Sequence, residues 1–263
     1  MKYKNILLTG ASGQLGRAIA SSGIFHSLLA PAREELDISN ADSVKKFFDN
    51  NDFDAVIHCA ALARMKECGE NPIKAIETNI IGTGNLVAHA IIKEKKTGRK
   101  IRFIHISTDA VYPGTRGNYN ESSETVPYNM YGWTKLGAEC TVQALANFCI
   151  IRTSFFDPES IEFKDAATDA FSSKAPINYI VRAISTLLGS NFIGTINVGR
   201  ERRSDYGHYR EFKPEIRQCR LEDIQKTVPF KMYKDSSMDI TLWKKVEGMP
   251  NKNTKPKNNN KNN

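Results

Sequence analysis

Asn5-Ile6-Leu7-Leu8-Thr9-Gly10-Ala11-Ser12-Gly13-Gln14-Leu15-Gly16 is the stretch from which the rest of the chain can be read. Asn5 to Thr9 is a short apolar run that reads as a strand, and a GxxGxxG spacing follows at once and opens a helix over about Gln14 to Ser22. Glycines in such a turn let backbone approach backbone and phosphate closely. The helix amino terminus adds unpaired N–H groups and partial positive charge, which suit a pyrophosphate. A glycine triplet alone is a weak signal; its place directly after the first strand makes Gly10, Ser12, Gly13 and Gly16 candidate residues of a dinucleotide site.

Outward from this turn, apolar runs alternate with helical stretches. Strands are predicted at Ser27 to Pro31, Ala55 to Ala60, Arg102 to Ser107 and Phe148 to Thr153. Helices are predicted at Ala41 to Asn50, capped by Ser39 or Asn40, at Pro72 to Glu94, capped by Asn71, and at Tyr131 to Ala146. Strand–helix–strand alternation predicts an α/β fold with a Rossmann-like, doubly wound parallel sheet. Beyond Thr153 the pattern weakens. Asp157 to Lys174 is polar and irregular, Ile177 to Leu188 has helical periodicity, and Gly194 to Val198 reads as another strand. The expected organisation is a dinucleotide-binding domain over 1–153, a small substrate lobe over 154–248 with 194–198 completing the sheet, and a disordered Asn/Lys tail over 249–263.

The 263 residues are 40% hydrophobic and 25% charged, which excludes a wholly disordered, collagen-like or coiled-coil chain. Apolar runs such as Ala55 to Ala63 fall far short of the about 20 residues of a membrane helix. The first ten residues read as a strand and not as a secretory signal, so a cytoplasmic location is expected, with no membrane partner. The five cysteines form no CxxC pair and are expected as buried thiols. Of the net charge of +8, the four lysines of 251–263 supply half, so the basicity is in part a tail effect and no nucleic-acid partner is expected. The five histidines lack metal-ligand spacing, no metal is assigned, and His58 and His105 read as packed residues of apolar strands. Arg200 to Arg203 reads either as a solvated basic turn or as a contact for a substrate diphosphate.

Ligands of an open α/β sheet sit at the carboxyl ends of the strands, so residues after the first, fourth and fifth strands are expected at one cleft. After the second strand, Pro31-Ala32-Arg33 puts an arginine where an NAD-preferring site has an acid. Arginine pairs with a 2′-phosphate, so NADPH is expected over NADH, with Asp37 and Ile38 at the adenine edge. Tyr131 and Lys135 stand one helical turn apart on one face, a spacing that sets an ammonium beside a phenol and is expected to lower the tyrosine pKa. Ser107-Thr108-Asp109, at the end of the fourth strand, adds a hydroxyl at the same strand ends. Hydroxyl, phenol and ammonium together can hold, protonate and reduce a carbonyl beside a nicotinamide.

TGASGQLG, REELDISNADSV, HCAALA, ETNIIGTGNL, HISTDAVYPG and PYNMYGWTKLGAE follow in order over about residues 4 to 155. With that spacing the chain resembles the extended short-chain dehydrogenases, most closely the dTDP-4-dehydrorhamnose reductases. The resemblance implies that Gly13, Gln14 and Leu15 touch the cofactor phosphates, that Arg33, Asp37 and Ile38 hold the adenosine end, and that Ala61, Leu62 and Ala63 line the nicotinamide approach. It implies Thr108, Tyr131 and Lys135 as the catalytic set, with Tyr131 and Lys135 also at the cofactor. Thr108, Asp109 and Phe155 would face the substrate, a nucleotide-linked 4-keto-6-deoxyhexose carried on dTDP or UDP. Ala110 stands where dehydratase relatives have glutamate and an epimerase-reductase type has cysteine, which disfavours dehydration; Asp109 or Cys68 would have to serve a combined 3,5-epimerase and 4-reductase. Rhamnose-type reductases often have tyrosine at the Ala110 position and tryptophan at the Phe155 position. A second resemblance, to the regulatory β subunit of methionine adenosyltransferase, implies a non-catalytic NADP-binding protein. By analogy, a homodimer would form through the helices of Pro72 and Tyr131.

Overall fold

The computed structural model describes residues 3–248; the Asn/Lys tail, expected to be disordered, lies outside them. In chain order the elements are β1 Ile6–Thr9, α1 Gln14–Ser21, β2 Leu28–Leu29, α2 Ala41–Asn50, β3 Ala55–His58, α3 Met65–Glu70, α4 Pro72–Ile76 and α5 Gly82–Thr97. They continue with β4 Arg102–Thr108, α6 Met130–Val142, β5 Phe148–Thr153, β6 Phe155–Phe156, β7 Asp165–Ala167, β8 Phe171–Ser172 and β9 Ala175–Pro176. The last are α7 Ile177–Gly189, β10 Gly194–Val198, β11 Arg203–Ser204, α8 Asp205–Arg210, β12 Arg217–Cys219, α9 Leu221–Gln225 and α10 Thr241–Glu247.

Among the described residues a six-stranded sheet runs in the order β10-β5-β4-β3-β1-β2, and every pairing in it is parallel. Side chains alternate between its two faces, as a pleated strand requires. Ile6, Leu8, Ile57, Ile104 and Ile151 pack on one face with α1, α7 and α10. Leu7, Val56, Phe103 and Ile150 pack on the other with α2 and α5. Strands buried on both faces explain the continuous apolar runs seen in the sequence. Strand order reverses between β1 and β3, and that switch point opens a crevice at the carboxyl ends of the strands.

Local chemistry sets the element ends. Asn40, not Ser39, caps α2, its Oδ1 accepting from Asp42 N at 2.9 Å and Ser43 N at 3.1 Å; Ser39 instead donates to Asp37. Asn71 precedes α4, but its side chain makes no cap bond. The single helix expected over Pro72 to Glu94 is instead α4, a wider π turn over Glu77–Ile81, and α5. The extra residue in the turn brings Asn79 inward, where it is buried. Met65–Glu70 was not expected as a helix, and the second strand shrinks to two residues. Cys140 is exposed, against the expectation of buried thiols, and Cys59 and Cys219 are only partly covered.

After Thr153 the chain divides. α7, β10 and α10 join the core of the main sheet. β7, β12, α8 and α9, with the β8–β11 pair, build a lobe around two small apolar clusters. Among the described residues no helix is long and apolar enough to cross a membrane.

Candidate active site

The glycine turn is fixed by close backbone packing. Gly10 has a φ of +73°, and a Cβ there would lie 2.5 Å from the Ala60 amide nitrogen. A Cβ on Gly16 would lie 2.1 Å from the Gly10 carbonyl oxygen. Only glycine at both places lets α1 start directly behind β1 and against the end of β3. Gln14, Leu15 and Gly16 form its first turn, whose N–H groups have no carbonyl one turn back to bond. The Leu15 side chain is in the core and Gln14 is exposed, so what these two residues offer a phosphate is backbone N–H.

A cleft of about 230 Å³ opens here, with Gly10 to Gly13, Arg33, Asp37, Ile38 and Ala61 on its wall. Arg33 is 68% exposed and stands 3.5 Å from Asp37. Ser39 hydrogen bonds hold the Asp37 carboxyl below its ordinary range, with Arg33 adding to the effect. Leu62 and Ala63 are not on the wall. Leu62 is instead pinned by the buried Asn79, whose Oδ1 accepts from Leu62 N at 2.7 Å and whose Nδ2 donates to Leu62 O at 3.0 Å. Asn79 Nδ2 also donates to Thr134 Oγ1 at 2.9 Å, which ties this turn to α6.

A second cavity, of about 680 Å³, lies between the sheet and the lobe, with Asp109, Ser154, Lys174, Asp205 and Tyr233 among its polar wall groups. Lys174 Nζ donates to Asp205 Oδ1 at 2.7 Å and also to the Tyr233 hydroxyl. Tyr233 donates in turn to Asp205 Oδ2 at 2.7 Å. Burial works against the Lys174 charge, but Asp205, Tyr209 and Tyr233 together outweigh it and hold the pKa above the usual lysine range. Phe163, Ile224, Val228 and Phe230 make the apolar part of the wall. Phe155, expected at the substrate, packs instead against the core of the main sheet. Side chains alternate through Ser154, Phe155 and Phe156, so Ser154 reaches the cavity and Phe156 the lobe cluster while Phe155 faces the other way. Arg200 to Arg203 is committed elsewhere: Arg200 and Arg203 pair with Glu211, Arg202 with Asp235, and Glu201 with Lys244.

Thr108, Tyr131 and Lys135 are on neither wall; Asp109, which follows Thr108 and acts on Tyr131, is on the cavity wall, and Cys59, which acts on Lys135, is on the cleft wall. Thr108 ends β4, its Oγ1 donating to Asp109 Oδ1 at 3.2 Å and accepting from Ala110 N at 3.1 Å. Asp109 Oδ2 accepts from Ser236 Oγ at 2.7 Å. Burial raises the Asp109 pKa. Asn129 caps α6 by accepting from Gly132 N at 2.9 Å, which sets Tyr131 in the first turn. A Cβ on Gly132 would meet the Ala110 carbonyl at 2.3 Å, so α6 starts hard against the end of β4.

The electrostatics correct one expectation. Burial raises the Tyr131 pKa; a hydrogen bond with Thr108 opposes the rise, while Asp109 and Cys68 add to it, and Lys135 is not among the groups acting on the phenol. The Lys135 ammonium lies 3.3 Å from His105 Nε2. Burial brings Lys135 down to about 8, against opposing pulls from Glu139 and Cys59. The Tyr131 phenol is therefore neutral through neutral pH. Cys68 donates to the Leu62 carbonyl at 3.2 Å, and burial lifts its thiol to about 11. Sequence reasoning assigned no part to Asn79, Lys174, Asp205 or Tyr233. Asn79 stands in the ETNIIGTGNL stretch, a signal that could have found it; the other three come from irregular segments that offered none.

The chain matches the family described as RmlD substrate binding domain over residues 4–175. It is similar to the dTDP-4-dehydrorhamnose reductase of Mycolicibacterium smegmatis, 32% identical over 157 residues, 58% of this chain and 46% of that one. It is also similar to methionine adenosyltransferase 2 subunit beta of Xenopus tropicalis, 32% identical over 148 residues, 53% of this chain and 42% of that one. The chain thus spans about half the length of these relatives. Among solved structures, a dTDP-4-dehydrorhamnose reductase from Clostridium acetobutylicum superposes with a TM-score of 0.81 at 26% identity, covering 93% of each chain. With the glycine turn, the parallel sheet and a family match over most of its length, this chain belongs to the RmlD substrate-binding-domain family.

Proposed function

We propose that this protein uses NADPH to reduce the 4-keto group of a dTDP- or UDP-linked 4-keto-6-deoxyhexose, in the cytoplasm. The observation that carries the reading is the position of Thr108, Tyr131 and Lys135. Lys135 is an electrostatic neighbour of Cys59 on the cleft wall, and Tyr131 of Asp109 on the cavity wall. Similarity to dTDP-4-dehydrorhamnose reductases supports the substrate class.

The cleft suits a dinucleotide phosphate. It joins a glycine turn and a helix amino terminus at one end to Arg33 and Asp37 at the other. The backbone N–H groups of Gln14 and Leu15 would bind the pyrophosphate, and Arg33 would pair with the 2′-phosphate. When bound, NADPH supplies the hydride. Thr108 hydrogen-bonds the carbonyl oxygen. Tyr131, neutral at working pH, gives its phenolic proton to that oxygen as negative charge develops there. Lys135 holds the ribose with its ammonium. A homodimer through α4, α5 and α6 is part of the reading, supported by the exposed Ile73, Ile81 and Trp133 on and between those helices.

NADPH oxidation with the dTDP- and UDP-linked 4-keto sugars, their 2-acetamido analogues and the 3,5-epimerised forms tests the reading. Turnover on at least one of them is expected; its absence on all of them contradicts the reading. Replacing Arg33 by Ala removes one charge-assisted contact to the 2′-phosphate. The NADPH over NADH preference in kcat/KM should then fall by about tenfold to a hundredfold, measured by steady-state kinetics with each cofactor. The second reading, a regulatory NADP-binding protein, draws on the methionine adenosyltransferase β-subunit similarity. It predicts tight NADPH binding without sugar turnover.

A further inference from the structure

His58 and His105 face each other on neighbouring strands, in register between β3 and β4, with ring centroids 5.2 Å apart. Both are buried, and the mechanism above uses neither. Their surroundings differ. His58 is saturated. Its Nε2 lies 2.9 Å from Thr83 Oγ1, whose own proton goes to the Asn79 carbonyl at 2.6 Å, so Nε2 donates and Nδ1 accepts from Thr9 Oγ1 at 2.7 Å. His105 is not. Its Nε2 lies 3.3 Å from Lys135 Nζ, and its Nδ1 is buried with no hydrogen-bond partner among the described residues.

An ammonium only donates, so His105 Nε2 accepts from Lys135 and the ring proton sits on Nδ1. We propose that His105 is a positioning residue for the reductase reaction: its neutral imidazole accepts a hydrogen bond from the Lys135 ammonium and holds that charge in place beside β4. The inference rests on the reductase reading for the use made of Lys135, but not for the bond itself. The groups around Lys135 are consistent with this. His105 comes from β4, His58 and Cys59 from β3 and its end, and Glu139 from α6 itself. Asp109, past β4, acts on Tyr131, one turn back from Lys135 on α6. Arg152 of β5 is turned to Glu139 and Tyr112. Burial, reinforced by Lys135, holds both imidazoles neutral, so His105 remains an acceptor through the working range.

A neutral acceptor favours the charged form of lysine. Its removal should therefore make Lys135 lose its proton at lower pH. The experiment follows NADPH affinity by fluorescence across neutral and alkaline pH for the wild type, His105→Leu and His105→Gln. Wild-type affinity should decline near pH 8, where Lys135 titrates. In His105→Leu the decline should move down by about one pH unit, and in His105→Gln, whose amide oxygen can accept, it should stay near the wild-type position. A purely structural histidine would lower stability or affinity at every pH without moving the decline, and an unmoved decline in His105→Leu overturns the proposal. Nitrogen-15 spectra of histidine-labelled wild-type protein give a test that needs no variant to fold. A neutral Nδ1–H tautomer at His105 is expected, and an Nε2–H tautomer overturns the proposal. If no sugar is reduced while the tautomer and the shift in NADPH binding both follow expectation, the reductase reading fails and the His105 bond stands.

Discussion

Replacing Tyr131 by Phe should lower kcat by about 10²- to 10⁴-fold, the usual contribution of a positioned proton donor, while NADPH still binds. Phenylalanine keeps the ring and loses only the hydroxyl. Tyr131 stands in the first turn of α6, held there by the Asn129 cap and the close Gly132–Ala110 contact, neither of which uses the phenol. The fold and the glycine turn should be unaffected. Because burial raises the Tyr131 pKa, the phenol stays protonated through neutral pH, and the loss should be seen across that range instead of at one limb of the profile. Steady-state kinetics with a fluorescence titration of NADPH separate the two effects. Turnover within a few-fold of wild type would remove Tyr131 from the assigned role.

Replacing Arg152 by Met should destabilise the protein by about 3–5 kcal/mol, the cost of leaving a buried charge unpaired. Arg152 Nη2 donates to Glu139 Oε2 at 2.7 Å and Nε to Oε1 at 3.1 Å, with the side chains 8% and 1% exposed. The same guanidinium donates to the Tyr112 hydroxyl at 2.9 Å, which passes its proton to Asn197 Oδ1 at 2.8 Å, while Ser107 donates to Glu139. β4, β5, β10 and α6 are joined by this one network. Without Arg152, the Glu139 carboxylate keeps only Ser107 among these partners in a dry interior. For a domain of this size the loss corresponds to about 6–20 °C in Tm, read by thermal unfolding. The double variant with Glu139→Leu removes the stranded charge and should recover much of the loss; a single variant that melts with wild type would show that the network contributes little.

Most of the sheet was legible because its strands are apolar on both faces and its first turn must be glycine at Gly10 and Gly16. Six strands parallel to one another follow from the strand–helix alternation alone. The π turn was not legible. One extra residue at Glu77–Ile81 leaves the apolar spacing of the surrounding helices almost unchanged, although it turns Asn79 inward. The Tyr131 electrostatics were misread for a different reason. Helical spacing puts Tyr131 and Lys135 on one face, but which group an ammonium turns to is set by a partner on β4, His105, and no local pattern records that choice. Phe155 depended on which way a two-residue strand faces, and the Lys174–Asp205–Tyr233 cluster joins residues far apart in irregular sequence.

The most direct test of the reductase reading is isotope transfer from NADPH deuterated at the nicotinamide C4 to the nucleotide sugar, with the product examined by NMR. The site predicts deuterium on C4 of the sugar, a new C4 hydroxyl, and loss of transfer in Tyr131→Phe. Tight NADPH binding with no deuterium in any dTDP- or UDP-linked 4-keto sugar would contradict it and leave the regulatory reading in its place.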